Sequence, residues 1–426
     1  MSDPSGTLAP LHYRPYRILV SARSVSMLGS SIAPLALAFA VLDLTGSVSD
    51  LGYVVATRTL LNVVFLLFGG AIADRLPRHL VMVGSSVLAG ASQGAAAVLF
   101  LTHTATMPIL LGLAAVNGMA AALAQPASAA IMPQTVPSTM RKQANALSRL
   151  SMNVVGIAGT SVAGLLVAIV GSGWCVAIDA GSFFLAALLF AVIRVAPVTG
   201  PSGTKDKVGL FTSLHEGWRV FIGHTWLWVV VLGFMLYNAA NAAGLGVLGP
   251  HFADLTVGRK LWGVVLAVDT IGAIAGAFVA LRVKVKRQLA YGVAAVGTGA
   301  LLPLALVFTP TLAALLVAAF IGGLGTEQFG IAWETSMQEN IETDMLARVY
   351  SYDMLGSLLA IPLGQLMAGP AEIAFGARGA MLGVGVLMLL ATAAMLVSKS
   401  VWRLKHGETK PEVPLVPVPD LEPDLV

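Results

Sequence analysis

Long apolar stretches separated by short polar ones repeat along the whole chain. Most of them run for about twenty residues with few charges, which is the length that an α-helix needs to cross a bilayer. Barrel strands would instead alternate apolar and polar positions over about ten residues. The pattern predicts an all-α membrane protein with twelve transmembrane helices, at roughly 18–42, 51–72, 80–102, 107–130, 150–170, 174–193, 226–248, 261–281, 289–309, 311–333, 349–369 and 379–398.

The longest polar break divides the predicted helices into two sets of six. Pro, Gly and Ser are frequent at its start, and a short amphipathic stretch follows. Two bundles of equal size are typical of transporters built from repeats. We therefore expect a cytoplasmic N-terminus at 1–17, an N-terminal six-helix bundle at 18–193, a cytoplasmic linker at 194–225, a C-terminal six-helix bundle at 226–398 and a disordered cytoplasmic tail at 399–426.

Composition and charge support a membrane protein and predict its orientation. Of the 426 residues, 57% are hydrophobic and 11% are charged, whereas a soluble domain has about 25% charged residues. With both termini placed inside, the inner segments carry 20 Lys and Arg residues and the outer loops carry 3. By the positive-inside rule this bias predicts a multi-pass protein of the cell membrane with both termini in the cytoplasm.

Several kinds of site are missing from the sequence. The single cysteine excludes an intramolecular disulfide framework and a multi-cysteine metal site. No phosphate-binding G-x-x-x-x-G-K-S/T loop occurs, so nothing suggests that the chain itself hydrolyses ATP. We expect no enzymatic activity, no cofactor, no metal and no nucleic-acid partner.

The connection between the second and third predicted helices, Gly69–His79, carries the most specific motif. It reads GGAIADRLPRH, and it resembles the loop between helices two and three of the major facilitator superfamily, G-x-x-x-D-R/K-x-G/P-R-R/K. The matching residues are Gly70, Asp74, Arg75, Pro77 and Arg78. The resemblance implies the superfamily fold, with this loop against the inner end of helix eleven, where it stabilises the outward-facing state.

Less specific sequence similarities cover nearly the whole chain. The segments Tyr16–Ser47, Ile178–Phe184 and Ala347–Ser357 are similar to the enterobactin-exporter and macrolide-efflux branch of the superfamily. This resemblance implies a secondary transporter that works by alternating access, and we expect a bacterial protein that acts as a monomer. It would export a drug-like molecule, an antibiotic or a siderophore against protons or another ion gradient. An uptake permease of the same fold and a non-transporting sensor or scaffold are the alternatives.

Two familiar features of proton antiporters are altered here. The fifth helix has Thr160 and Ala163 where the exporter motif G-P-x-x-G-G has Pro and Gly. Helix one has Ser30 where the branch frequently has Asp. Any proton coupling must therefore use other groups.

Polar side chains within the predicted helices are candidates for substrate binding. A charge at membrane depth is costly unless it is paired or hydrated, so each one suggests a function. Arg58 is such a residue, although an ion pair with Asp179 would give it a purely structural role. Asn117 lies where many antiporters have an arginine, and Gln328 adjoins an acidic residue in helix ten. Arg23 lies near a helix end and is expected to anchor at the interface.

Three acids are candidates for proton coupling. Asp269 lies near the middle of helix eight, with no basic residue within two helical turns, and is the leading candidate. Glu327, toward the inner end of helix ten, is the second, and Asp179 is the third. An acid that merely faces a wet cavity, with no coupling role, is the alternative for Asp269 and Glu327.

Overall fold

The computed structural model describes residues 9–73, 78–193, 218–280, 282–283 and 285–404, and these residues form helices and turns without a strand. A short 3₁₀ helix, Ala9–His12, comes first. The first six long helices are α1 (Arg14–Thr45), α2 (Val48–Ala73), α3 (Arg78–Leu101), α4 (Met107–Ile131), α5 (Arg141–Val170) and α6 (Ser172–Ala191). Residues 218–223 are helical, and the helices that follow are α7 (Thr225–Leu255), α8 (Arg259–Ala280), α9 (Gln288–Phe308), α10 (Leu312–Asn340), α11 (343–375), α12 (377–397) and α13 (Lys399–Arg403).

Helices α11 and α12 follow each other without a loop. By length and apolarity the described residues contain 11 candidate membrane spans, and the last, Val349–Val397, has 49 residues. One crossing takes only about 20 residues. Gly376 has φ 71° and ψ 163° and divides this run into two helices, a backbone conformation that glycine adopts without steric cost. The twelve predicted spans are thereby confirmed.

Several helices extend beyond their predicted apolar limits. Helix α1 begins at Arg14 rather than at 18, α5 begins at Arg141 rather than at 150, and α10 ends at Asn340 rather than at 333. Hydropathy marks only the part of a helix that lies in the hydrocarbon core, whereas backbone hydrogen bonding continues into the polar interface. Helix α13 occupies the start of the tail predicted to be disordered. Residues 1–8, 194–217 and 405–426 lie outside the described residues.

The helices pack as two groups. In the first group α1 packs on α5 and α6, α2 packs on α4, and α3 packs on α4 and α6. In the second group α7 packs on the run that holds α11 and α12, and α10 packs on both α8 and α9. The groups meet mainly through two pairs, α2 with α11 and α5 with α8. We call these groups the N-half and the C-half.

Among the described residues, close contacts between the two halves occur at one end of the bundle. We call this the outer end, after the predicted orientation: α1 and α5 finish there and α8 begins there. A Cβ atom built on Gly164 of α5 would lie 2.7 Å from Cα of Gly263 in α8. On the other pair of helices, a Cβ on Gly369 of α11 would overlap Ser49 of α2. The backbones touch at these points only because glycine has no side chain, as in close-packed membrane helices.

Candidate functional site

A cavity of about 400 Å³ lies within the N-half, bounded by α1 to α6. Its polar lining includes Arg23, Arg58, Asn117 and five serines, and no acid is among the lining residues of the described chain. The lining residues come from the middle and the inner parts of their helices, with Arg58 and Asn117 near mid-helix. We call this space the arginine cavity. It is of the size that binds small molecules in other proteins.

Hydrogen bonds fix the position of Arg58 in the arginine cavity. Its Nε donates to Oδ1 of Asn117 over 2.8 Å, and Nδ2 of Asn117 donates to Ser92 Oγ over 3.2 Å. A Cβ on Gly118 would overlap the Arg58 carbonyl oxygen, so α2 and α4 are in close contact beside this pair. The two terminal nitrogens of Arg58 have no acceptor in the described part of the chain. They remain available to an anionic group.

A second cavity, of about 590 Å³, lies between the two halves. Its walls are α1 and α5 on one side and α8 and α10 on the other, and Glu327 is the charged residue among its lining. The Glu327 carboxylate has no hydrogen bond or ion pair within the described residues. We call this space the glutamate cavity. It shares Met27, Ser30 and Met152 with the arginine cavity, so the two cavities adjoin at these residues. We call the two adjoining cavities together the central space.

Asp269 does not line either cavity. It lies on α8 and points toward the contact of α9 with α10, where its Oδ1 is 3.8 Å from a Cβ built on Gly322. The side chain is half-buried and accepts no hydrogen bond in the described structure. The structure therefore separates the two leading coupling candidates: Glu327 meets the central space, whereas Asp269 lies within the C-half.

Two other predicted site residues lie in helix contacts. Oδ2 of Asp179 accepts a hydrogen bond of 2.6 Å from Nε2 of Gln93, and the residue is 1% exposed. The suggested ion pair between Asp179 and Arg58 does not form. Gln328 is buried, and its Nε2 donates to the carbonyl oxygen of Gly276 in α8. These contacts favour a role in helix packing for both residues, because neither lines a cavity.

A cluster of charges joins the two halves at the outer end. Arg259 of α8 forms ion pairs with Asp43 of α1 at 2.5 Å and with Asp254 of α7 at 2.7 Å. Its guanidinium also lies over the ring of Phe39, 4.4 Å from the centroid. Asp43 and Phe39 belong to the N-half, whereas Asp254 and Arg259 belong to the C-half. The cluster thus closes the outer side of the glutamate cavity, together with the Gly164 contact.

The predicted gating motif is only partly described. Asp74, Arg75 and Pro77 lie outside the described residues. Gly70 lies near the end of α2, and Arg78 is the first residue of α3. The position of this loop relative to α11 therefore stays a prediction.

Sequence reasoning missed two of these residues. Arg23 was expected to anchor at the interface, but it lines the arginine cavity, and its Nη1 donates to Ser148 Oγ over 3.4 Å. Its spacing to Met27 and Ser30, at i+4 and i+7, is a helical signal that these residues share one face. Arg259 is one of the three basic residues that the charge pattern predicts in the outer loops. Its partner Asp43 lies 216 residues away, and no local pattern connects them.

The comparisons with known proteins agree with this architecture. The family model of the Major Facilitator Superfamily matches residues 19–352. The multidrug efflux pump Tap of Mycolicibacterium fortuitum is 27% identical over 392 residues, which cover 88% of this chain and 93% of that protein.

Solved transporter structures have the same fold. The nucleoside transporter NupG matches with a TM-score of 0.72 at 13% identity, over 90% of this chain and 98% of NupG. An inward-facing, unoccupied bacterial homologue of the human lysosomal transporter Spinster matches with a TM-score of 0.72 at 17% identity, over 91% and 97% of the two chains. The chain is therefore a multi-pass membrane transporter rather than an enzyme, and it belongs to the Major Facilitator Superfamily.

Proposed function

We propose that this transporter exports small amphiphilic molecules from the cytoplasm in exchange for protons. The observation that carries the proposal is the central space of two adjoining cavities, which is closed at the outer end and lined by residues from the middle and inner parts of the helices. A substrate arriving from the inner side would enter this space and leave after the outer contacts open. The similarity to a multidrug efflux pump supports the outward direction. We propose that the protein works as a monomer.

Glu327 is the acid that we propose for proton coupling, in place of Asp269. It lines the glutamate cavity and has no partner among the described residues. A carboxylate in this position can hold either a proton or a cationic group of the substrate. Since the two exclude each other, proton entry from outside would release the substrate, and substrate entry from inside would release the proton.

Accumulation in inverted membrane vesicles tests this function. We would follow a panel of fluorescent xanthene dyes, cationic, zwitterionic and anionic, under an imposed pH gradient with an acidic lumen. Vesicles with the transporter should accumulate at least one dye, and a protonophore should abolish that accumulation. If no dye accumulates, the export function is refuted. Accumulation only in right-side-out vesicles would instead identify an uptake permease.

Two matched substitutions separate the coupling candidates. Glu327→Gln should abolish gradient-driven accumulation while dye exchange down a concentration gradient continues. Asp269→Asn, an equally conservative change in the same half, should leave accumulation in place. If Asp269→Asn abolishes accumulation and Glu327→Gln does not, the coupling role belongs to Asp269.

A further inference from the structure

The two ends of the central space carry opposite charge. Arg23 and Arg58 contribute positive charge to the arginine cavity, and Glu327 contributes negative charge to the glutamate cavity. No described residue of the opposite charge lines either cavity. Because Met27, Ser30 and Met152 belong to both linings, the two cavities adjoin, and a molecule that spans this junction would face both charges.

We infer that the preferred substrates are zwitterionic amphiphiles, which place an anionic group at Arg58 and a cationic group at Glu327. The inference rests on the proposed function in taking the central space as the substrate site. It goes further because it assigns a charge to each end of the bound molecule.

Arg58 has free capacity to bind an anion. Its Nε is engaged by Asn117, which fixes the plane of the guanidinium and leaves the paired terminal nitrogens to form a two-pronged contact. Such a contact suits a carboxylate or a phosphate. Asp179 does not neutralise this end by direct contact, since it is sealed from the cavity and bound to Gln93. Arg23 adds a second positive charge to the same cavity.

Glu327 has the corresponding capacity for a cation. Its helix packs beside α8 on the same wall of the glutamate cavity, and the neighbouring lining on α8 is apolar or hydroxylic, with Ala273, Ile274, Thr270 and Phe278. A protonated amine would satisfy the carboxylate where no protein group does. Substrates with a single charge would leave one end of the cavity unpaired, which is costly at membrane depth.

The walls between the two ends suit an apolar or aromatic body. Met27 and Met152 lie where the cavities join, and Phe183 lines the arginine cavity. Methionine side chains adapt to differently shaped ligands and contact aromatic rings favourably. The volumes of about 400 and 590 Å³ leave room for a molecule of several fused rings.

Three dyes with one ring system test the inference by direct binding. Rhodamine 110 is zwitterionic at neutral pH, its methyl ester rhodamine 123 is cationic, and fluorescein is anionic. Fluorescence polarisation with the purified full-length transporter would give a Kd for each dye, independently of transport. We expect rhodamine 110 to bind about tenfold more tightly than either relative, the effect of one charge-assisted contact. Equal or weaker binding of rhodamine 110 overturns the inference.

Substitutions at the two ends should remove the preference in opposite ways. Arg58→Gln should bring rhodamine 110 to the affinity of its ester, and Glu327→Gln should bring it to the affinity of fluorescein. Arg58→Lys keeps the charge and should retain part of the preference for rhodamine 110. It takes the place of Arg58→Gln in the binding comparison if that variant does not fold. If rhodamine 110 keeps its full advantage in folded Arg58→Gln and Glu327→Gln, the charge assignment is refuted. Tight binding without vesicle accumulation would leave the charge assignment intact and refute the proposed export.

Discussion

The contact between Gly164 and Gly263 predicts that one added methyl group will change which side of the transporter is open. In the Gly164→Ala variant the new Cβ atom would lie 2.7 Å from Cα of Gly263 and 2.9 Å from its nitrogen. Ordinary van der Waals contact needs roughly 3.5–4.0 Å between carbon atoms, so α5 and α8 must move apart by about 1 Å. The Arg259 carbonyl oxygen also lies 2.9 Å from this Cβ; all three obstructing atoms are backbone, and none can rotate away.

The strain applies only to the state with a closed outer end. Overpacking of this kind costs about 1–3 kcal/mol, and an outward-open state that separates α5 from α8 would escape it. The equilibrium should therefore shift toward the outward-open state by about 5- to 150-fold. Alanine also favours the helix by about 1 kcal/mol relative to glycine. The matched control must therefore be another Gly→Ala substitution within a helix.

Labelling of a single cysteine from outside the cell measures this shift. Cys175 is buried, and its replacement by alanine gives a background for the reporter Ser30→Cys, which lines both cavities. A membrane-impermeant maleimide should label the reporter faster in Gly164→Ala than in the parent. The control is Gly112→Ala, since a Cβ on Gly112 of α4 meets nothing within 4 Å.

The comparison can refute the reasoning directly. If Gly164→Ala is labelled at the rate of the parent, the glycine contact does not hold the outer end closed. An equal increase in Gly112→Ala would assign the effect to helix propensity instead. Gly263→Ala should behave like Gly164→Ala, because its Cβ would lie 2.5 Å from Cα of Gly164.

Two further predictions use the same reporter. Asp43→Asn should increase external labelling about two- to fivefold, since it weakens a partly exposed ion pair across the halves. Asp254→Asn is its control and should have a smaller effect, because that pair lies within the C-half; a larger effect of Asp254→Asn would contradict the assignment. Asp74→Asn should decrease external labelling and slow transport at unchanged expression. In the predicted position near the start of helix eleven, the Asp74 carboxylate would stabilise the outward-facing state by about 0.3–1 kcal/mol, and the substitution removes this stabilisation. Turnover at the parental rate would mean that the motif only signals topology.

Much of the fold could be predicted because bilayer crossing imposes a local rule on every helix. The lengths of the apolar stretches and the charges between them predict all twelve spans. The predicted limits differ from the structure only at the polar ends of the helices. Partners across helices follow no such rule. Asp179 and Arg58 seemed suited to an ion pair by depth, yet Gln93 and Asn117 bind them instead. Which face of α8 or α10 meets the cavity depends on helix rotation, so the sequence could not rank Glu327 above Asp269.

The charge cluster at Arg259 also makes the outer end sensitive to the surrounding medium. The side chains of Asp43, Asp254 and Arg259 are 46%, 30% and 28% exposed, so dissolved ions can screen their attraction, with a Debye length of about 8 Å at physiological ionic strength. The Phe39 ring is fully buried, and its contact with the guanidinium is screened less. A higher salt concentration outside the cell would therefore weaken the ionic part of this closure while the aromatic and glycine contacts persist, so external salinity would modulate how readily the outer end opens.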